Sequence, residues 1–268
     1  MTVTLFGILN ITADSFSDGG KYLEPEAALA HALALANDAD AVDIGAASSN
    51  PSSQAVPPEI EIARMAPVVA ALRAERIPIS IDSFAVETQR WALERGVDYL
   101  NDIQGFPYPE LYPALAASPA RLVVMHSVQG FGIATRVHVP ASELMDRILA
   151  FFDARIDALT SAGIARERLI LDPGMGLFLG SDPDASFAVL RRLPELVAAF
   201  GLPILISVSR KSFLRRLTGR GPREAGAASL AAELFAVEQG ATHIRTHDPA
   251  ALKDALAVVT ALRPGNPR

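Results

Sequence analysis

The chain has 268 residues, half of them hydrophobic, with 24 Lys plus Arg against 30 Asp plus Glu and a formal net charge of −6. That length and apolar share suit one large core, and an α/β barrel commonly takes about 250 residues as a single domain. Cysteine is absent, which excludes disulfides, thiolate metal sites and a cysteine nucleophile, while the acidic balance without any basic block opposes nucleic-acid binding.

Apolar runs over 3–10, 40–45, 77–82, 97–102, 121–126, 168–172, 203–208 and 242–246 read as strands. Each ends abruptly in a polar or charged residue: Asn10, Asp43, Asp82, Asn101-Asp102, His126, Asp172, Ser209-Arg210-Lys211 and Arg245-Thr246-His247. Between them, 25–37, 58–75, 86–95, 109–117, 141–162, 184–200, 223–239 and 249–262 carry helical patterns. Pro194 predicts a break within 184–200. In 58–75, Ile60, Ile62, Met65, Val68, Val69 and Leu72 fall on one stripe and predict its buried face. Trp91, Phe151-Phe152, Phe187 and Phe235 read as core.

Strands alternating with helices make parallel-sheet units, and eight of each close into a (β/α)8 TIM barrel covering 1–268 as one domain. A doubly wound sheet is the alternative, but it would carry a glycine-rich turn directly after the first strand, where this chain has Asn10. In such a barrel the polar strand ends surround one mouth, at the C-terminal face. No apolar segment is long enough to span a membrane, and no charged, apolar and cleavage-site succession opens the chain, so the expectation is a soluble cytoplasmic protein with no membrane contact.

Two sets of residues can carry chemistry. Asp43, Asp82, Asp102 and Asp172, with Asn101, would form a carboxylate pocket whose partners are N–H donors of a ligand, although any one Asp alone reads as a helix cap. Arg210, Lys211, Arg245 and His247 follow strands 7 and 8, the habitual phosphate site of this barrel, and Ser212 opens the next helix with amides that favour an anion. Asn10 reads equally as a ligand for a hard cation or as a tie for the loop after it. The five histidines show no zinc-ligand spacing, and His126 reads as a core histidine bonded to backbone. The whole suits a nitrogen heterocycle bearing a phosphate or diphosphate.

Four segments also resemble a known family: Phe6-Gly7-Ile8-Leu9-Asn10-Ile11-Thr12-Ala13-Asp14-Ser15-Phe16-Ser17-Asp18-Gly19-Gly20, Asp172-Pro173-Gly174-Met175-Gly176, Ser209-Arg210-Lys211-Ser212 and Arg245-Thr246-His247-Asp248. They are similar to the signature segments of dihydropteroate synthases. The resemblance implies a transferase of folate synthesis that joins (7,8-dihydropterin-6-yl)methyl diphosphate to 4-aminobenzoate, with Mg2+, and forms homodimers. It implies catalytic roles for Asp82, Asp172 and Lys211, and pterin binding by Asp43, Asp82, Asn101, Asp172 and Lys211. It implies diphosphate binding by Asn10, Ser49, Arg245 and His247, with Asn10 toward the metal. The aminobenzoate side would hold Ser49, Phe178, Lys211 and Ser212, and the loops 11–20 and 46–57 would form a mobile lid.

Three departures from the family pattern lie on the aminobenzoate side. Ser49-Asn50-Pro51-Ser52 stands where the family has Thr-Arg-Pro-Gly; Gly176-Leu177-Phe178-Leu179-Gly180 is longer by about two residues and lacks a Lys; and Gln104-Gly105-Phe106-Pro107-Tyr108-Pro109 is unusual. The pattern resembles the sulfonamide-insensitive branch of the family, in which Phe178 would narrow the aminobenzoate pocket. A pterin-dependent methyltransferase and a non-catalytic pterin-binding paralogue are the alternatives.

Overall fold

The computed structural model describes residues 2–12, 24–47, 56–129, 137–182 and 184–263. Among them eight parallel strands run β1 (Thr4–Asn10), β2 (Ala41–Gly45), β3 (Ile79–Asp82), β4 (Tyr99–Asp102), β5 (Arg121–Met125), β6 (Leu169–Asp172), β7 (Leu205–Ile206) and β8 (His243–Thr246). Neighbours in space are neighbours in sequence, and β8 pairs with β1. The ring closes where Leu171 of β6 bridges Ile204, just before β7, with the Leu171 amide on the Pro203 carbonyl at 2.9 Å. This is the (β/α)8 barrel that the alternation predicts.

The helices α1 (Pro25–Ala36), α2 (Pro58–Ala74), α3 (Val86–Glu94), α4 (Tyr112–Ala117), α5 (Ala141–Ser161), α6 (Ala185–Arg191), α7 (Leu193–Phe200), α8 (Ser212–Thr218), α9 (Gly226–Glu238) and α10 (Pro249–Leu262) surround it. The strands' helix-facing residues, among them Leu9, Val42, Ile44, Ile81, Leu100, Val124, Leu171, Ile206 and Ile244, join the helices in one core. A small separate cluster of Phe6, Ala41, Val123, Ile170 and Leu205 fills the barrel's inside, with Tyr99 edge-on to Phe6 at 4.8 Å. Strands buried on both faces are what made the sequence runs continuously apolar.

The predicted break in 184–200 falls at Arg192, between α6 and α7, which places Pro194 in the first turn of α7 where its missing N–H costs nothing. Four expectations need correction. The strand expected over 203–208 ladders only at Leu205–Ile206, because the Val208 carbonyl turns to accept from the Lys211 amide at 3.1 Å. The pattern over 223–239 begins as a separate 3-10 turn before α9. Phe235 is 37% exposed on α9 rather than core. Ile60 is 42% exposed and off the buried stripe of α2, whose first member is Glu61.

Candidate active site

Side chains alternate between the two faces of a strand. Counting in steps of two from the interior cluster therefore decides which strand-end residues face the mouth. From Phe6 the count reaches Asn10; from Ala41, Asp43; from Tyr99, Asn101; from Ile170, Asp172. Arg245 on β8 pairs with Phe6 in register, and Asp82 on β3 pairs with both Gly45 and Asn101. Asp43, Asp82, Asn101, Asp172 and Arg245, distant in sequence, thus share the barrel mouth with Asn10, which is half-buried.

Asp102 does not belong to this set. It lies one residue beyond Asn101 and so faces the helices. It is fully buried and accepts from Gln89 Nε2 at 2.9 Å, from the Gln104 amide at 2.7 Å and from the Phe106 amide at 3.2 Å. It is a structural cap for the turn after β4, and the four-carboxylate mouth becomes a three-carboxylate one. His126 obeys the same alternation: its Nδ1 lies 3.1 Å from the Pro173 carbonyl, and burial lowers its pKa to about 4. It is the core histidine expected.

Arg245 is the centre of the site. Its Nε donates to Asp43 Oδ2 and its Nη2 to Asp82 Oδ2, the second bond at 2.6 Å. The cation predicted for phosphate thus pairs with two of the carboxylates predicted for the heterocycle. Burial works against the guanidinium charge, yet Asp43 and Asp82 raise its pKa above the ordinary value. Burial raises Asp82 to about 7 against the pull of Arg245, with the Asp43 charge adding to the rise. Burial likewise raises Asp172 to about 6, opposed by the Gly174 amide, which donates to Asp172 Oδ1 at 2.8 Å, and by Lys211. Two buried acceptors, Asp43 Oδ1 and Asn101 Oδ1, have no hydrogen-bond partner among the described residues. A buried polar atom left unpaired costs about 1–3 kcal/mol, so the mouth is built for a ligand that brings donors.

Lys211 closes the other side. It caps α8, donates from Nζ to the Met175 carbonyl at 3.3 Å, and holds that ammonium 5.3 Å from the centre of the Phe178 ring. Burial lowers its pKa to about 8 although Asp172 works the other way. Phe178 is only 7% exposed and packs with Ile103 and Met125. The 3-10 turn Gly176–Leu179 that carries it is fixed by the Val128 amide on the Phe178 carbonyl at 3.0 Å and by Gln129 Nε2 on the Leu177 carbonyl at 2.8 Å. Ser212 begins α8 as expected, but with seven residues the helix offers first-turn amides and little aligned dipole.

His247 lies beside Ser209, its Nδ1 3.0 Å from Ser209 Oγ. Burial, helped by Arg210, Arg245 and Lys211, lowers its pKa to about 3. It therefore offers a neutral imidazole, a directional donor rather than a charge. The Arg210 amide donates to Ser229 Oγ at 2.9 Å, which ties the loop after β7 to α9. Ser49 and most of the two loops expected to form a lid lie outside the described residues.

A barrel mouth with inward carboxylates, an amide acceptor and a basic rim after strands 7 and 8 defines a class of enzyme, and comparison with known proteins agrees. Residues 6–247 match the family model described as pterin binding enzyme. The chain is 60% identical over 263 residues to dihydropteroate synthase type-2 of Escherichia coli, covering 98% of this chain and 97% of that one. It is 52% identical over 259 residues to the type-3 enzyme of the same organism, covering 96% of this chain and 98% of that one. Among solved structures, Xanthomonas albilineans dihydropteroate synthase with 4-aminobenzoic acid superposes with a TM-score of 0.89 at 38% identity, covering 99% of this chain and 94% of that chain. The chain belongs to the dihydropteroate synthase family, and it is a transferase.

Proposed function

We propose that this protein joins (7,8-dihydropterin-6-yl)methyl diphosphate to 4-aminobenzoate. The amine nitrogen forms a bond to the pterin methylene carbon, the C–O bond to diphosphate breaks, diphosphate leaves with the electron pair, and the amine proton goes to solvent. The observation that supports this most is the pair of orphaned buried acceptors, Asp43 Oδ1 and Asn101 Oδ1, beside Asp82 and Asp172. The amino and ring N–H groups of a pterin supply the missing donors. Three carboxylates face two cations, Arg245 and Lys211, so the mouth keeps an excess negative charge that favours cationic character at the methylene as the C–O bond lengthens. Asp82, Asp172 and Lys211 hold the pterin; Arg245 and His247, with Ser49, receive the diphosphate. Solved relatives bear on this reading, since the Xanthomonas albilineans enzyme has been captured in complex with 7,8-dihydropteroate.

The donor set fits a hard cation that rides on substrate phosphates. Asn10 is half-buried at the end of β1, and among the described residues no group of three or more His, Asp or Glu side chains can hold an ion by itself. Asn10 would hold Mg2+, which when bound neutralises the diphosphate oxygens. The reaction belongs to folate synthesis in the cytoplasm, and the protein works as one domain over 1–268 and as a homodimer. Leu217, Val258 and Leu262, each more than half exposed on α8 and α10, give that dimer apolar surface.

The enzyme is also insensitive to sulfonamides. The support is the burial of Phe178 beside Lys211, Ile103 and Met125; a ring held there would narrow the aminobenzoate side for any ligand bulkier than the substrate. Removing Phe178 and Leu179 and measuring inhibition of diphosphate release tests this. Strong inhibition of the shortened enzyme by a sulfonamide that spares the parent is expected; unchanged inhibition would reject the role given to Phe178.

A further inference from the structure

The first turn of α2 holds a buried carboxylate that the reaction above does not use. Glu61 is 3% exposed, and its Oε2 accepts from Ser83 Oγ and from Thr88 Oγ1, both at 2.7 Å. Ser83 follows Asp82 directly. Its hydroxyl, while donating to Glu61, accepts from the Ala85 amide at 3.2 Å. Its amide donates to the Asn101 carbonyl at 3.1 Å, and its carbonyl accepts from Gln89 Nε2 at 2.7 Å. Gln89 Nε2 also donates to Asp102 Oδ2 at 2.9 Å. The backbone amides and carbonyls of Ser83 and Ala85, between Asp82 and α3, are all held, the Ala85 carbonyl by the Gln89 amide at 2.9 Å, and the same network reaches the strand end that carries Asn101. Arg64, one turn further along α2, donates to the Ala46 carbonyl at 2.9 Å, just past the end of β2.

A carboxylate is acceptor-only, so it fixes the direction of both hydroxyl protons; a water or an amide in its place would not. Burial raises the Glu61 pKa, opposed by the Ser83 and Thr88 hydrogen bonds and by Arg64. Stability alone does not account for a buried charge, because well-packed apolar residues serve it as well or better. What the charge secures is orientation. We propose that Glu61 is a positioning residue for pterin recognition, acting through Ser83 and Thr88 to fix the turn after β3 so that Asp82 and Asn101 face the ligand. This rests on the pterin reading of the mouth given above.

The test compares steady-state kinetics and thermal midpoints of the full chain with those of Glu61→Ala, Glu61→Gln and Thr88→Val. Loss of the shared acceptor in Glu61→Ala is expected to raise KM for the pterin diphosphate by about tenfold and to leave KM for 4-aminobenzoate within about twofold. Glu61→Gln keeps an oxygen acceptor but brings an amide donor and no charge, so it is expected to recover only part of that loss. Thr88→Val, nearly isosteric, is expected to raise the pterin KM by about threefold, and it keeps the proposal open to refutation where Glu61→Ala does not fold. Unchanged pterin KM in the folded variants, or an equal rise for both substrates, would overturn the positioning role. Titration calorimetry with a pterin that lacks the diphosphate reads the same role without turnover, and equal affinity in parent and variants would overturn it there too. A parent enzyme without turnover refutes the reaction; a turning-over parent with indifferent variants refutes Glu61 alone.

Discussion

Asp82 and Asp172 are held above the ordinary carboxylate range, at about 7 and about 6, chiefly by burial, and Lys211 is held below the ordinary lysine range, at about 8. A carboxylate must be ionised to accept from two N–H groups, so kcat/KM is expected to fall as pH drops through 7 toward 6. Above 8 Lys211 loses its charge, and kcat/KM falls again; a pH profile of the free enzyme should be bell-shaped with its maximum between those limbs. Pterin binding favours the ionised carboxylates and is therefore expected to release protons near pH 7, measurable by calorimetry in buffers of different ionisation heat. Replacing Asp82→Asn removes one partner of Arg245 and sets a donor against pterin donors; a fall in kcat/KM of about 100-fold is expected. At this scale most of the site was legible: Asp43, Asp82, Asn101, Asp172, Lys211 and Arg245 are where apolar runs end. Asp102 was misplaced because strands buried on both faces hide their own alternation. The pairing of Arg245 with Asp43 was not legible, since nothing local joins two residues so far apart in the chain.

The elements place these residues through a few constrained backbone positions. Gly174 follows Asp172-Pro173 with φ at +75°, and the His126 carbonyl oxygen occupies the space a Cβ would need. Gly174→Ala is expected to cost about 2 kcal/mol or more, read by denaturant unfolding, and to weaken turnover through Asp172, whose Oδ1 accepts from the same amide. The buried stripe of α2 was legible from Met65 onward through Val68, Val69 and Leu72. Its first member was missed because Ile60 looks apolar and Glu61 looks like a solvated first-turn acid. The spacing 61, 65, 68, 72 is nonetheless helical, and it was the available signal for Glu61. The break at Pro194 was predictable from the missing N–H, whereas α2 runs through Pro67 without a break in the helix, which composition alone does not distinguish.

In the molecule as a whole the barrel is unevenly sewn. β1 and β2 pair over five residues, while β6 meets β7 through the single bridge of Leu171 and Ile204. The Leu171 amide is therefore expected to exchange its hydrogen faster than the inner amides of β1 and β2, as native-state hydrogen exchange would show. The barrel itself was legible because eight apolar runs of similar length alternate with helical patterns, and consecutive order around a ring is the short-connection solution. The extent of β7 was not, because its last carbonyls serve the turn into α8. The mouth's composition, carboxylates inward and cations after strands 7 and 8, leads to one central claim: a pterin diphosphate and an aromatic amine are joined there. The most direct measurement is diphosphate release by the purified protein given Mg2+, the pterin diphosphate and 4-aminobenzoate, with and without a sulfonamide. Turnover that requires the amine and survives the drug is the expected result. No diphosphate release, in a folded protein that still binds pterin, would contradict the claim.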